Sequence, residues 1–446
     1  MPKAKKSKRT ALLEKLKKDQ VRFLRLQFTD IMGIIKNVEV PQGEFEKAID
    51  GQIMFDGSSV EGFARIEESD MLLKPDLDTY VLYPWQEVTG KVARLICDIY
   101  NPDETPFSGC PRQTLKRACD WASKMGFVMH AGPEPEFFLF LLGENGEPTT
   151  RSHDRGGYFD LAPTDRGEDA RRAIVNILDS IGFAVEAAHH EVAPAQHEID
   201  FRHRPALECA DSIATFRFVV RKVALDFGLH ATFMPKPVFG ISGSGMHVHQ
   251  SLYKNGKNAF YDRKAEDGLS RVARGYIAGV LRHCREFCAV TNPLVNSYKR
   301  LVPGYEAPTH IAWSERNRSP LARVPARRGD GTRVEVRMPD PACNPYLAMA
   351  VMLASGLNGV EQGWDCGKPV NKNIFTMSHR EKRRHRIDSL PDNLGHAVEL
   401  FSKSKFMKEV LGDHIFHHYT QAKRNEWAEY IALVHDWETD RYLATY

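Results

Sequence analysis

The chain contains no apolar run approaching the roughly 18 residues that a membrane-spanning helix requires, so no segment reads as a helical membrane span. Cysteine is sparse, eight in 446 residues, and none falls in a CxxC pair. With no secretory leader recognisable, the thiols read as reduced and the setting as cytoplasmic. Cys284 and Cys288, four apart in a helical stretch, lack a second Cys or His pair and read as ordinary helix packing rather than a metal stripe. A strong charge of one sign is also missing: the net value of +3 excludes a typical nucleic-acid binder. Low-complexity tracts and solenoid repeats are absent. So are the GxxxxGK[ST] loop and the dinucleotide fingerprint, which removes the commonest nucleotide folds.

What remains is a chain of ordinary composition, long enough for two domains. Lys3, Lys5, Lys6, Lys8 and Arg9 form a basic N-terminal tail without interleaved aromatics, which reads as solvated. Leu24, Leu26 and Phe28 alternate with polar residues, and Asp30 to Gly33 turns the chain into Ile34 to Val40, the pattern of a β-hairpin. Strand-like runs follow at Tyr80 to Tyr83 and Ala93 to Ile99. The turn formers Asn101 to Pro106 then mark a boundary, so residues 1–104 are expected as a small β-rich domain and 105–446 as a larger one. Beyond it, mixed strands and helices indicate an α+β domain around an antiparallel sheet. Ile174, Ile177, Leu178 and Ile181 predict one helix, with Glu168 and Asp169 in its first turn and Gly182 at its end. A second is expected from about Asp211 to Asp226.

Glu134-Pro135-Glu136 opens an apolar strand, so both carboxylates share a face. Adjacent anions repel, and a divalent cation between them is the usual remedy, although a polar strand start would look the same. Gly245-Met246-His247-Val248-His249 again puts two histidines on one face, with Gly243 and Gly245 allowing close backbone approach. Arg333 to Met338 places Glu335 between two arginines, and Glu191 to Glu198 carries two more carboxylates across a loop. Together these segments offer five glutamates and one histidine, suited to Mg²⁺ or Mn²⁺ rather than structural zinc. Six ligands suffice for two ions.

Asn296 to Pro308, rich in breakers, reads as a long functional loop. Arg316, Arg318, Arg323, Arg327 and Arg328, joined by Arg333 and Arg337, form a cluster fit for phosphates and a substrate carboxylate.

In order along nearly the whole chain, these and other motifs resemble type I glutamine synthetase. They are Phe55-Asp56-Gly57-Ser58-Ser59, Gly132 to Glu136, His190-Glu191, Lys236-Pro237, Gly243 to His247, Asn296 to Pro308, Arg316 to Ser319 and Glu335 to Arg337. The resemblance implies an N-terminal β-grasp domain, a catalytic domain, and a homododecamer of two hexameric rings with shared active sites. It also implies that Glu136, Glu191 and Glu198 ligate one metal, while Glu134, His247 and Glu335 ligate the second. Ser242, Gly243, Arg300, Glu306, Arg318 and Arg337 would handle glutamate. Glu186, His249, Ser251, Arg318, Arg323 and Arg333 would surround ATP. Asp56 would take a proton from ammonium at a neighbour's site, with Glu306 on a loop that closes over glutamate; Asp56, Glu306 and Arg318 form the expected catalytic set.

On this resemblance the γ-carboxylate of glutamate attacks the γ-phosphate of ATP, and ammonia then attacks the γ-glutamyl phosphate. Asp56 to Met71 looks like the α subtype, in which Arg65 takes part in feedback inhibition by glutamine and nitrogen-regulatory proteins are partners. Three positions depart from the family pattern: Ser242 replaces the usual Asn, Phe375 offers no hydroxyl for adenylylation, and His203 stands where relatives carry an aromatic near adenine. The helical pattern from Trp427 through Tyr442 implies a C-terminal segment reaching the facing ring. A γ-glutamylamide ligase using another amine and a non-catalytic nucleotide-binding regulator are the competing readings. A generic two-metal hydrolase accounts for the carboxylates but not for the arginine cluster.

Overall fold

A computed structural model describes residues 7–60, 70–85, 88–304 and 307–446. The N-terminal unit is a five-stranded sheet. Val21–Thr29 and Ile35–Pro41 form the expected antiparallel hairpin, and Val21–Thr29 also pairs in parallel with Lys91–Tyr100. Asp70–Leu82 and Ile53–Asp56 complete the sheet. Alternation along the first strand buries Leu24, Leu26 and Phe28 against its core.

Of the basic N-terminal tail, Lys3, Lys5 and Lys6 lie outside the described residues, while Lys8 and Arg9 differ from expectation. Lys8 and Arg9 open a helix, Lys8–Lys18, capped by the Ser7 side chain and anchored by buried Leu12 and Leu16. Arg9 pairs with Asp50 through its Nε at 2.6 Å. The i,i+4 leucine pair that buries this helix is masked in sequence by the surrounding lysines.

The larger unit is α+β, built on a sheet that runs Asp388–Ser389, His310–Ser314, Pro320–Arg323, Val334–Val336, Met246–Lys254, Val128–Leu142, Gln196–Phe201, Val185–His190. Along this path the pairing is antiparallel except between His310–Ser314 and Pro320–Arg323. Helices back the sheet, among them Ala206–Asp226, Arg271–Thr291 and Pro345–Glu361. Cys284 and Cys288 are buried in the second of these, with Tyr298 Oη 3.7 Å from Cys288 Sγ, so both are packing residues.

The helix Glu168–Ser180 forms where expected, and Gly182 follows it with φ +90°, a conformation glycine adopts without strain. The next helix starts at Ala206 rather than Asp211, because Cys209 and Ala210 already face the core. The loop from Asn296 contains one helical turn, Ser297–Arg300, pinned by a bond from Leu301 N to Ser297 O. The last segment is two helices, Asp413–Ala432 and Asp436–Tyr442, broken at Leu433, Val434 and His435. Ile431, Leu433, Val434, Trp437 and Leu443 are exposed.

The two units meet at a buried charge cluster. Arg112, 4% exposed, holds Asp211 through Nε and Nη2 at 2.9 Å each, Asp76 at 2.8 Å and Asp98 at 3.3 Å. Asp76 and Asp98 belong to the N-terminal sheet, Asp211 to the larger unit.

Candidate active site

Strand register assembles the site. Residues directly opposite in an antiparallel pair share a face. Glu134 lies opposite His247, Glu335 opposite both His249 and Arg323, and Glu136 opposite Glu198. The period of two keeps Met246, Val248, Val334 and Val336 in the core while the ionisable partners converge on the other face.

Two carboxylate clusters result. In the first, candidate ligand atoms of Glu134, His247 and Glu335 lie within 4.8 Å of one another. His247 Nδ1 is 3.3 Å from Glu134 and 3.7 Å from Glu335, while His249 Nε2 is 2.6 Å from the other oxygen of Glu134. Arg337 Nη1 donates to Glu335 at 2.6 Å and Arg323 Nε at 2.5 Å. Burial pushes the Glu134 carboxyl up, but hydrogen bonds from His247 and His249 outweigh it, and the group ends below the usual carboxylate range. Burial likewise opposes ionisation of Glu335, yet Arg337 and its neighbours bring it down to about 2. This cluster is balanced by cations of the protein itself.

The second cluster is dominated by burial and the mutual repulsion of its acids. His189, Glu191 and Glu198 offer ligand atoms within the same 4.8 Å, and Glu136 sits across the strand from Glu198. Burial, then repulsion from Glu191 and Glu198, drives the Glu136 carboxyl well up. Glu198 is raised by burial and by Asp200, Glu134 and Glu191. Acids crowded together this deep in the protein are relieved by a cation, and the oxygen-rich donors fit a hard divalent ion. Gln196 holds Glu136 from behind through Nε2 at 2.9 Å, and the Gly245 N–H donates to the same carboxylate at 2.9 Å. Sequence reading missed His189 and Gln196; their signal lies only in the pairing register.

Glycine at 245 is a steric requirement. A Cβ there would lie 2.5 Å from Arg300 Nη2 and 3.1 Å from His247 Nε2. Arg300 is itself buried and donates to the carbonyls of Met338 at 2.9 Å and Arg337 at 3.2 Å. Ser242 and Gly243 lie in the loop before Met246–Lys254, with Gly243 O accepting from Gln196 at 3.2 Å. Arg318 approaches the Tyr158 hydroxyl.

A cavity of about 440 Å³ shares Glu134 and His249 with the first cluster and continues past Glu186, Ser251 and Arg333 to His203 and Tyr253. The His203 and Tyr253 rings lie 6.3 Å apart at 14°. Arg333 Nε donates to His249 Nδ1 at 3.0 Å. Arg323 is not among the lining residues, being engaged by Glu335. Larger cavities, two of about 760 Å³ and one of about 540 Å³, lie elsewhere, one of them beside the Arg112 cluster, and none of the three contains a residue of the carboxylate clusters. The ionisable side chains, rather than size, select the site.

Asp56 ends a strand of the N-terminal sheet, where its Oδ1 accepts from Ser58 N at 2.9 Å and Ser58 Oγ at 2.6 Å. Glu306 and Arg65 lie outside the described residues.

A five-stranded sheet unit joined to an α+β unit, with buried carboxylate clusters beside a cavity, is the arrangement of a metal-dependent enzyme. Residues 108–442 match the family described as glutamine synthetase, catalytic domain, and residues 20–102 match glutamine synthetase, beta-Grasp domain. The chain is 60% identical over 439 residues to a glutamine synthetase of Thermus thermophilus, covering 98% of each protein. It is 56% identical over 433 residues to one of Methanosarcina mazei, covering 97% of each. A structure solved as a GmaS/ADP complex superposes with TM-score 0.89 at 30% identity, over 97% of this chain and 99% of that one. The chain belongs to the glutamine synthetase family, enzymes of ATP-dependent glutamine synthesis.

Proposed function

We propose that this enzyme joins ammonia to the γ-carboxylate of glutamate with ATP, through γ-glutamyl phosphate, on the paired carboxylate clusters. The observation that carries this reading is the register that brings Glu134, His247 and Glu335 together beside the 440 Å³ cavity. Glu136, Glu191 and Glu198 would hold one divalent cation and Glu134, His247 and Glu335 the other, Mg²⁺ or Mn²⁺ by their donor set. Bound there, the cations supply charge neutralisation for phosphate oxygens.

The remaining roles belong to this chain's own side chains. Glu186, His249, Ser251 and Arg333 line the cavity for ATP, and the aromatic end of that cavity at His203 and Tyr253 offers a stacking surface for a base. Arg318 and Arg323, outside that lining, are the remaining arginines of the ATP site. Ser242, Gly243, Arg300, Arg318 and Arg337 orient glutamate, whose γ-carboxylate attacks the terminal phosphate. Glu306 shields the acyl phosphate from water. Asp56 removes a proton from ammonium, and ammonia attacks the activated carbonyl.

Domain boundaries at 1–104 and 105–446, a cytoplasmic homododecamer of two hexameric rings, and a nitrogen-regulatory partner belong to the same reading. Native mass measurement tests the assembly. The likeness of Asp56 to Met71 to the α subtype supports a regulatory role for Arg65, and Arg65→Ala should shift the glutamine inhibition curve; coincident curves for the two proteins would remove Arg65 from regulation.

Purified protein with ATP, glutamate, ammonium and Mg²⁺ should yield glutamine and ADP. Faster ATP turnover with small amines than with ammonium would favour the γ-glutamylamide ligase. Asp56→Ala should lower ammonia-dependent glutamine formation by about 10²- to 10⁴-fold, as loss of a proton acceptor does, while ATP affinity stays near the wild-type value. Equal loss of both would count against its role.

A further inference from the structure

We propose that Arg171 is a positioning residue for the second carboxylate cluster, acting through a buried network that grips the Glu191–Glu198 turn from behind. The inference rests on the assignment of Glu191 and Glu198 as cation ligands.

Four buried side chains, Asp154, Asp165, His190 and His197, bring potential ligand atoms within 4.8 Å of one another. The arrangement has the composition of a metal site, but a guanidinium is already seated in it. Arg171 Nη2 donates to Asp165 Oδ2 at 2.7 Å and Nη1 to His197 Nδ1 at 2.9 Å. Asp165 is fixed in turn by the Gly167 N–H at 2.9 Å. Asp165 is already paired with this permanent cation and Asp154 with His190, so a further divalent ion would have to displace both.

Each histidine immediately precedes a proposed ligand: His190 comes before Glu191, and His197 before Glu198. The two rings lie opposite each other in the pairing of Val185–His190 with Gln196–Phe201. His190 Nδ1 is 2.7 Å from Glu191 O, and its Nε2 is 3.2 Å from Asp154 Oδ2. Asp154 Oδ1 accepts from Ala195 N at 2.8 Å. Ala195 has φ +63°, an uncommon value for a residue with a side chain, so the turn needs this tether. The fork therefore fixes the strand end that presents Glu198, and Asp154 fixes the return that presents Glu191. None of these four side chains enters the carboxylate face, which separates positioning from ligation.

A lysine at 171 would keep the charge but could hold only one end of the fork. The test measures Mn²⁺ binding to the full chain by the electron paramagnetic resonance of free Mn²⁺, together with thermal midpoints, for wild type, Arg171→Lys, Arg171→Gln and Glu191→Gln. Arg171→Lys should keep a midpoint close to wild type yet weaken one of the two Mn²⁺ sites about 10-fold, the scale typical of lost supports behind metal ligands, leaving the other unchanged. Arg171→Gln should weaken the same site at least as much. Wild-type isotherms in both Arg171 variants, or equal weakening of both sites in step with the midpoint, would overturn the inference. If Arg171→Lys does not fold, Asp165→Asn releases the same fork and is read by the same criteria. Glu191→Gln separates the two questions: undiminished binding at both sites in that variant would overturn the ligand assignment itself.

Discussion

Replacing Glu335 by Gln should lower glutamine formation by about 10³-fold or more, the equivalent of losing about 4 kcal/mol of charge stabilisation at the transferring phosphate. Glu335 is fully buried, and its two oxygens accept from Arg337 at 2.6 Å and Arg323 at 2.5 Å. Glutamine has nearly the same shape, so packing is preserved. The amide nevertheless turns an NH₂ toward one guanidinium and removes the negative charge that both arginines and His247 face. The steady-state rate with saturating Mg²⁺, ATP and glutamate is the measurement. Activity within 10-fold of wild type would show that the first cluster does not hold a catalytic cation.

The second large effect is on stability. Arg112→Met should destabilise the protein by about 3–5 kcal/mol, the usual cost of removing one partner from a buried ionic cluster. Asp76, Asp98 and Asp211 would lose their shared counter-charge, leaving Lys116, which pairs directly with Asp98 and acts at longer range on Asp76. Methionine fills much of the volume, so the loss measured by denaturant unfolding is electrostatic rather than a cavity. Arg112→Lys should recover part of it, since one ammonium cannot reach three carboxylates. A change below about 1 kcal/mol would mean that the seam carries little of the fold's stability.

The ligand strands were legible because each obeys a period of two by itself: Glu134 with Glu136, His247 with His249, and Glu335 between Val334 and Val336. Apolar alternation reports which face a residue occupies without reference to any partner strand. What alternation cannot report is who sits opposite. The pairing of His189 with Glu198 and the grip of Gln196 on Glu136 arise from register. Arginine roles were blurred for a similar reason. The arginine cluster read as phosphate-binding, yet Arg323 and Arg337 are engaged by Glu335 and Arg328 reaches the carbonyls of Asp267 and Pro325. At both termini helical spacing was the weaker guide. Lysines concealed the Leu12 and Leu16 stripe, and an uninterrupted aromatic pattern concealed the break at Leu433 to His435.

The same pairing has a consequence for quality control. Sliding Met246–Lys254 by one residue against Val128–Leu142 would drive both histidines into the interior and turn Met246 and Val248 out to water. A chain that misaligns there forfeits its apolar core and its chemistry in one error. Catalysis therefore counts properly threaded molecules, and no well-packed but inert isomer of this sheet can hide among them.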